Sequence, residues 1–164
     1  MIDRLMCLVL ALSLAGCATK FIELDADKNV VSGICDVEFI DSTSEPGLIE
    51  VRTEDYVTKG ETRPSIEQIL KDESCKIEKT RTGESIVFEV TDFVCSARGG
   101  FDLTYSADIR GEIKFIDGKT VTLRSASTKT MRNPFWREGC ASVANAAIVS
   151  LRAKIQTEVN KSRK

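Results

Sequence analysis

The chain contains no histidine. That removes Ser-His and Cys-His nucleophile pairs, imidazole acid–base work near neutral pH, and the commonest metal ligand. No two cysteines stand at the C-x2-4-C spacing that structural zinc sites use. A nucleophile motif and a glycine-rich phosphate loop are also missing. Neither charge sign dominates: 23 Lys and Arg against 25 Asp and Glu leave a formal −2. The two signs are interspersed, so there is no electrostatic case for nucleic acid binding. No apolar run reaches the ~20 residues that a membrane-spanning helix needs. Tryptophan occurs once and proline three times, and no internal repeat or low-complexity segment is present. These absences exclude most catalytic classes, and no catalytic residue, cofactor or metal is expected.

What is present begins near Met1. Arg4 is followed by an apolar run from Leu5 to Leu14, then by Ala15-Gly16-Cys17. A charged start, an apolar middle and small residues describe a secretory signal, here ending in cysteine. Leu14-Ala15-Gly16-Cys17 resembles the lipobox of bacterial lipoproteins. The resemblance implies cleavage before Cys17, a diacylglycerol on its sulfur and an acyl chain on its new amino terminus. It also implies outer-membrane placement facing the periplasm, because Ala18 stands where an aspartate marks inner-membrane retention. Asp3 offsets Arg4, so the leading segment has no net side-chain charge. The expected organisation is a signal peptide over 1–16, a lipidated cysteine and tether over 17–20, and one domain over 21–164.

With Cys7 in the signal and Cys17 lipidated, Cys35, Cys75, Cys95 and Cys140 remain. An even set in an exported chain predicts two disulfides, with three possible connectivities. Cys95 closes the most apolar strand and Cys140 falls on the core face of the last helix. Pairing them would pin helix to sheet and leave Cys35 with Cys75, which is the favoured arrangement.

Alternation of apolar and polar residues predicts strands over 30–40, 48–52 and 75–80, and a more apolar one over 86–95 with a bulge near Asp92. The clearest pattern covers 101–115. Every odd position there is apolar or glycine, and every even one is polar. It predicts a long antiparallel strand with one wet face. Gly111 marks a bend or the close approach of a helix. After it, a three-residue loop Ile116-Asp117-Gly118 places Ile113 opposite Val121 and keeps both faces consistent, with Gly118 left-handed. The strand returns over 119–130. The polar stretch 53–63 is expected to be an exposed loop.

Two helices are predicted. Ser65 and Gln68 have capping-box spacing ahead of Ile66, Ile69 and Leu70. The other starts at Asn133-Pro134, N-cap and first helical position, and runs to about Asn160. Its apolar face is Trp136, Cys140, Val143, Ala144, Ala147, Leu151 and Ile155. The opposite face holds Arg137, Asn145, Arg152 and Gln156. Together these elements predict an α+β fold: a mostly antiparallel meander packed on one face by both helices, in two layers.

Three features are candidate sites. Arg132, Phe135, Trp136 and Arg137 form an aromatic-basic run of the kind enriched at interfaces, although the favoured reading is that Phe135 and Trp136 fill the core where the helix begins. Asp102, Asp108 and Glu112 share the wet strand face, where ion pairing with neighbouring cations is the expected role. Tyr56-Val57-Thr58-Lys59-Gly60-Glu61 resembles the Tyr…Ser/Thr-Lys-Gly-Asp segment of membrane-bound lysozyme inhibitors, over six residues and without that family's serine-glycine motif. The resemblance implies an all-β barrel that inhibits an envelope-attacking hydrolase.

The expected function is a non-catalytic envelope lipoprotein that binds another envelope protein or supports an assembly. The alternatives are small-ligand or lipid binding beside Ala144 and Ala147, and hydrolase inhibition.

Overall fold

The structure is a computed structural model that describes residues 21–25, 37–71, 85–132 and 135–163. Among the described residues seven strands form one sheet: β1 (Phe21–Glu23), β2 (Val37–Asp41), β3 (Leu48–Arg52), β4 (Val57–Arg63), β5 (Ile86–Arg98), β6 (Asp102–Lys114) and β7 (Thr120–Arg132). Among the described residues two helices accompany them, α1 (Ile66–Leu70) and α2 (Trp136–Ser162). The order across the sheet is β1-β4-β3-β5-β6-β7, with β2 also on β5.

The sheet is mixed, which corrects the expected meander. Strands β5, β6 and β7 are antiparallel neighbours, as are β3 and β4. But β1 runs parallel to β4, and both β2 and β3 run parallel to β5. Strand β2 pairs with residues 86–90 of β5, and β3 pairs with residues 94–96. The two short strands thus lie end to end along one edge of β5. Alternation reports which side of a strand is buried and carries no information on its direction, so this arrangement left no trace in the periodicity.

Register in the meander half follows local rules. The amide of Phe115 donates to the Lys119 carbonyl at 2.9 Å, and that of Gly118 to the Phe115 carbonyl at 3.0 Å. Gly118 has φ 83°, the left-handed bulge position of a three-residue hairpin. Ile113 therefore faces Val121, as predicted. The pairing of β5 with β6 slips between Val90 and Asp92, a bulge at Thr91 that moves the expected irregularity by one residue. Downstream of it Phe93, Cys95 and Ala97 face the core, and Val94 on the opposite face is also buried.

Gly111 is a close-approach site, but the neighbour is not a helix. A Cβ there would lie 2.4 Å from the Phe88 ring and 2.5 Å from the Glu89 carbonyl oxygen. The adjacent strand fills the space, so Gly111 lets Phe88 lie flat across the pair.

The core lies between the sheet and α2. Tyr105, Ala107, Ile109 and Ile113 of β6 pack against Cys140, Ala144, Ala147, Leu151 and Ile155 of the helix, all fully buried. Removing one such aliphatic side chain costs ~2–5 kcal/mol. Ser125, also buried, donates its hydroxyl to the Ala147 carbonyl at 2.8 Å, which satisfies both groups.

Helix α1 is five residues long, and its capping box is present. The Gln68 amide donates to Ser65 Oγ, and the Ser65 amide donates to Gln68 Oε1. Its apolar residues Ile66, Ile69 and Leu70 join the same core. Helix α2 begins at Trp136 with Phe135 as N-cap and no side-chain cap bond, which corrects the expected asparagine cap. At ~1.5 Å per residue its 27 residues span about 40 Å. The face expected to meet solvent is partly covered. Asn145 Oδ1 accepts from the Asp25 amide at 3.0 Å, and an Arg152 amino group donates to the Leu70 carbonyl at 3.4 Å. That second bond links the two helices on one side of the sheet.

Residues 57–63 form β4, not a loop. Thr62 and Gly60 face inward, and Gly60 packs against Ile22 and the Trp136 ring. A strand with so few apolar side chains is invisible to a hydrophobicity pattern, since glycine supplies one of its two buried positions.

Candidate functional site

Of the four cysteines expected in disulfides, Cys95 and Cys140 are bonded, with S–S 2.03 Å and Cα–Cα 5.9 Å. They join the middle of the sheet to the second turn of α2. Cys17, Cys35 and Cys75 lie outside the described residues, as do the signal segment and the segment 75–80 expected as a strand.

The aromatic-basic run splits into buried and exposed halves. Trp136 is half-buried against Gly60 of β4, with the Arg137 guanidinium 5.6 Å from its ring. These two residues belong to the helix–sheet junction. Phe135 is 78 % exposed and Arg132 lies at the surface. The Arg132 guanidinium is 5.9 Å from the ring of Phe101 and 3.6 Å from an Asp102 carboxylate oxygen. Phe101 is itself 77 % exposed. It was expected to face the core by parity. The reversal at Gly99, φ 111°, and Gly100 delays the strand until Asp102, so the parity of β6 does not extend to it. Exposed Phe101 and Arg132 therefore mark the end of the sheet where β6 begins and β7 ends, and exposed Phe135 stands at the start of α2. An aromatic face beside a guanidinium contributes ~0.5–1 kcal/mol at the surface and leaves apolar area for a partner.

The wet face of β6 carries the candidate carboxylates. Asp108 accepts a forked pair of bonds from Arg124 across the strand, 2.9 Å from Nε to Oδ1 and 2.5 Å from Nη2 to Oδ2. Arg110 adds a 3.4 Å contact. The Arg124 bond chiefly, and the two nearby positive charges, hold the Asp108 carboxyl below the usual carboxylate range against the opposing effect of burial. Asp102 pairs with Arg132. Ion pairing of this kind is a structural use of a surface carboxylate.

A small cleft of about 50 Å³ opens between the β2–β3 connection and β5, lined by Glu45, Glu50, Lys59, Thr91 and Asp92. Organic ligands need ~300–1,000 Å³. Inside it Lys59 is paired with Glu45, and Glu50 with Arg52. Asp41 orders the connection, accepting from the Thr43 and Gly47 amides at 3.1 and 2.8 Å. Lys59 and Gly60 of the segment resembling lysozyme inhibitors sit within β4, in a sheet backed by a long helix instead of a closed barrel. Among the described residues no cluster of acidic or cysteine side chains could hold a metal ion, and no helix is long and apolar enough to cross a membrane.

No family model matches the chain. No curated protein matches it. Among solved structures the chain is similar to a protein of Xanthomonas campestris from the DUF330 family. The identity is 13% and the TM-score 0.49, over 89% of this chain and 97% of that one.

Proposed function

We propose that the protein is a lipid-anchored lipoprotein of the bacterial envelope whose folded domain is a non-catalytic interaction module. The observation that carries this is the exposed pair of Phe101 and Arg132 at one end of the sheet, with exposed Phe135 following a few residues further along the chain. Bare phenylalanine rings next to an arginine have the composition of an interface centre. Asp102 and Asp108 of the wet face are held in surface ion pairs, which supports a binding role over a catalytic one. Leu14-Ala15-Gly16-Cys17 supplies the anchor, with Ala18 directing it to the outer membrane. Only Ala18, Thr19 and Lys20 separate Cys17 from β1, so the domain is held close to the lipid surface.

Two measurements test the proposal. Labelled palmitate is expected to enter the wild-type protein and not Cys17→Ala, and incorporation into that variant would remove the anchor. A photo-crosslinking residue placed at Phe135 in living cells is expected to give a discrete crosslinked protein, absent when the crosslinker replaces Tyr56. Equal, diffuse crosslinking from both positions would remove the interaction site.

A further inference from the structure

Strand β7 ends the sheet, and among the described residues no strand lies on its far side. An edge of 13 residues is long, and natural edges are usually protected by proline, a bulge or a cover. Here the pairing with β6 runs from Asp102 to Lys114 without a slip, and β7 contains no proline.

Which backbone groups face outward follows from the hairpin. Phe115 donates to Lys119, and hydrogen-bonded pairs then recur at every second residue. Odd positions of β7 therefore turn their N–H and C=O toward β6. Even positions turn theirs to the open edge. Lys154 of α2 supports this count, since its Nζ donates to the Arg124 carbonyl at 2.6 Å from beyond the sheet. That lysine caps one end of the edge. Further along, nothing among the described residues bonds the outward groups of Ala126, Thr128, Thr130 and Arg132.

The charge of this edge is one-sided. Strand β7 carries Arg124, Lys129 and Arg132 and no acidic residue. Asp108 answers Arg124, and Asp102 answers Arg132. Among the described residues Lys129 and Lys154 donate to neutral oxygens, those of Ser142 and of the Arg124 carbonyl. A second copy of β7 laid alongside would bring cations against cations, which disfavours self-pairing. A strand with alternate carboxylates fits instead.

We propose that the edge of β7 from Ala126 to Arg132 takes up an extended acidic segment of a partner protein by strand addition. Its backbone would pair with the outward amides and carbonyls, and its carboxylates would meet Lys129 and Lys154. This rests on the interaction-module reading and names the surface and the partner's chemistry. Phe101 stands at the Arg132 end, where it would clamp the incoming chain.

The test uses the full-length protein and two synthetic nonapeptides, one alternating Glu with Val or Thr and the other alternating Lys in the same frame. In the free protein the amides of Ala126, Thr128 and Thr130 are expected to exchange rapidly with solvent. The acidic peptide is expected to slow them and to bind at least ~10-fold more tightly than the basic one, a difference of ~1.4 kcal/mol. Thr128→Pro removes an outward N–H without touching the β6–β7 ladder and is expected to weaken binding by a similar factor. If that variant does not fold, Lys129→Glu with Lys154→Glu tests the charge term and is expected to reverse the peptide preference. Amides already protected in the free protein would mean that the edge is covered by this chain or a second copy, and would overturn the proposal. So would equal binding of both peptides, or no binding of either. Persistent crosslinking from Phe135 with no peptide binding would leave the interaction module standing and remove only the edge.

Discussion

The ring of Tyr105 lies on Gly139, in the first turn of α2, where any other residue would place its Cβ. A methyl group there would sit 2.4 Å from Tyr105 Cζ. The contact positions the helix one residue before Cys140, whose sulfur reaches Cys95 on the neighbouring strand. Glycine inside a helix costs up to ~1 kcal/mol against alanine. Here close packing outweighs propensity, because the ring is fully buried and has nowhere to move.

Gly139→Ala is accordingly expected to destabilise the domain by ~1–3 kcal/mol, as over-packing does, instead of stabilising it by helix propensity. Chemical denaturation of the two proteins decides the sign. A midpoint unchanged or raised in the variant would show that the helix can shift away from the ring.

Tyr105 also predicts an alkaline limit. Burial first, and the nearby Tyr56 second, push its phenol above the usual ~10. The folded state then holds a proton that the unfolded chain has released, so stability is fully present below pH ~10 and falls as pH rises past it. Tyr105→Phe is expected to flatten that fall, and Tyr56→Phe to lessen it without removing it. Unfolding midpoints measured between pH 8 and 11 would show it, and an unchanged slope in Tyr105→Phe would refute the assignment.

Loss of the bond between Cys95 and Cys140 releases a loop of 45 residues in the unfolded chain. Chain entropy sets the cost of Cys95→Ser with Cys140→Ser at ~4 kcal/mol, a large part of a domain's ~5–15 kcal/mol. The double variant is expected to melt well below the wild type. Peptide mapping without reductant is expected to find Cys35 joined to Cys75 in both, and a Cys35 or Cys75 thiol alkylated in the native protein would rule that out.

At acid pH the carboxylate of Asp108 is the group to follow. Its folded pKa lies below the unfolded ~3.9, so its contribution is present above about pH 4 and is lost as pH falls through the folded value. The pair is partly exposed, which limits Asp108→Asn to ~0.5–1 kcal/mol at pH 7. That difference is expected to shrink below pH 3 and in high salt. A difference independent of both would mean that Asp108 acts through packing and not charge.

The readings that succeeded were short in range. The turn at Ile116-Asp117-Gly118 follows from matching faces across a hairpin. The Ser65–Gln68 box follows from spacing over one helical turn. The inward set Tyr105, Ala107, Ile109 and Ile113 follows from period two. The exposed ends were less legible. Phe101 looked like part of that set because parity does not announce where a strand starts, and Lys154 carried no signal because its partner is a backbone carbonyl on β7.

By itself, then, the sequence determined the local geometry: strand faces, hairpin register, the capping box and the helical face that holds Cys140. Backbone periodicity and side-chain hydrogen bonds within a few residues decide those. Tertiary structure alone decided that β2 and β3 both lie parallel along β5, that Gly111 and Gly139 make room for Phe88 and Tyr105, and that β7 is left as a basic edge. Each of these depends on which distant segments share a boundary, and that is settled by packing of the whole core, which no window of the chain contains.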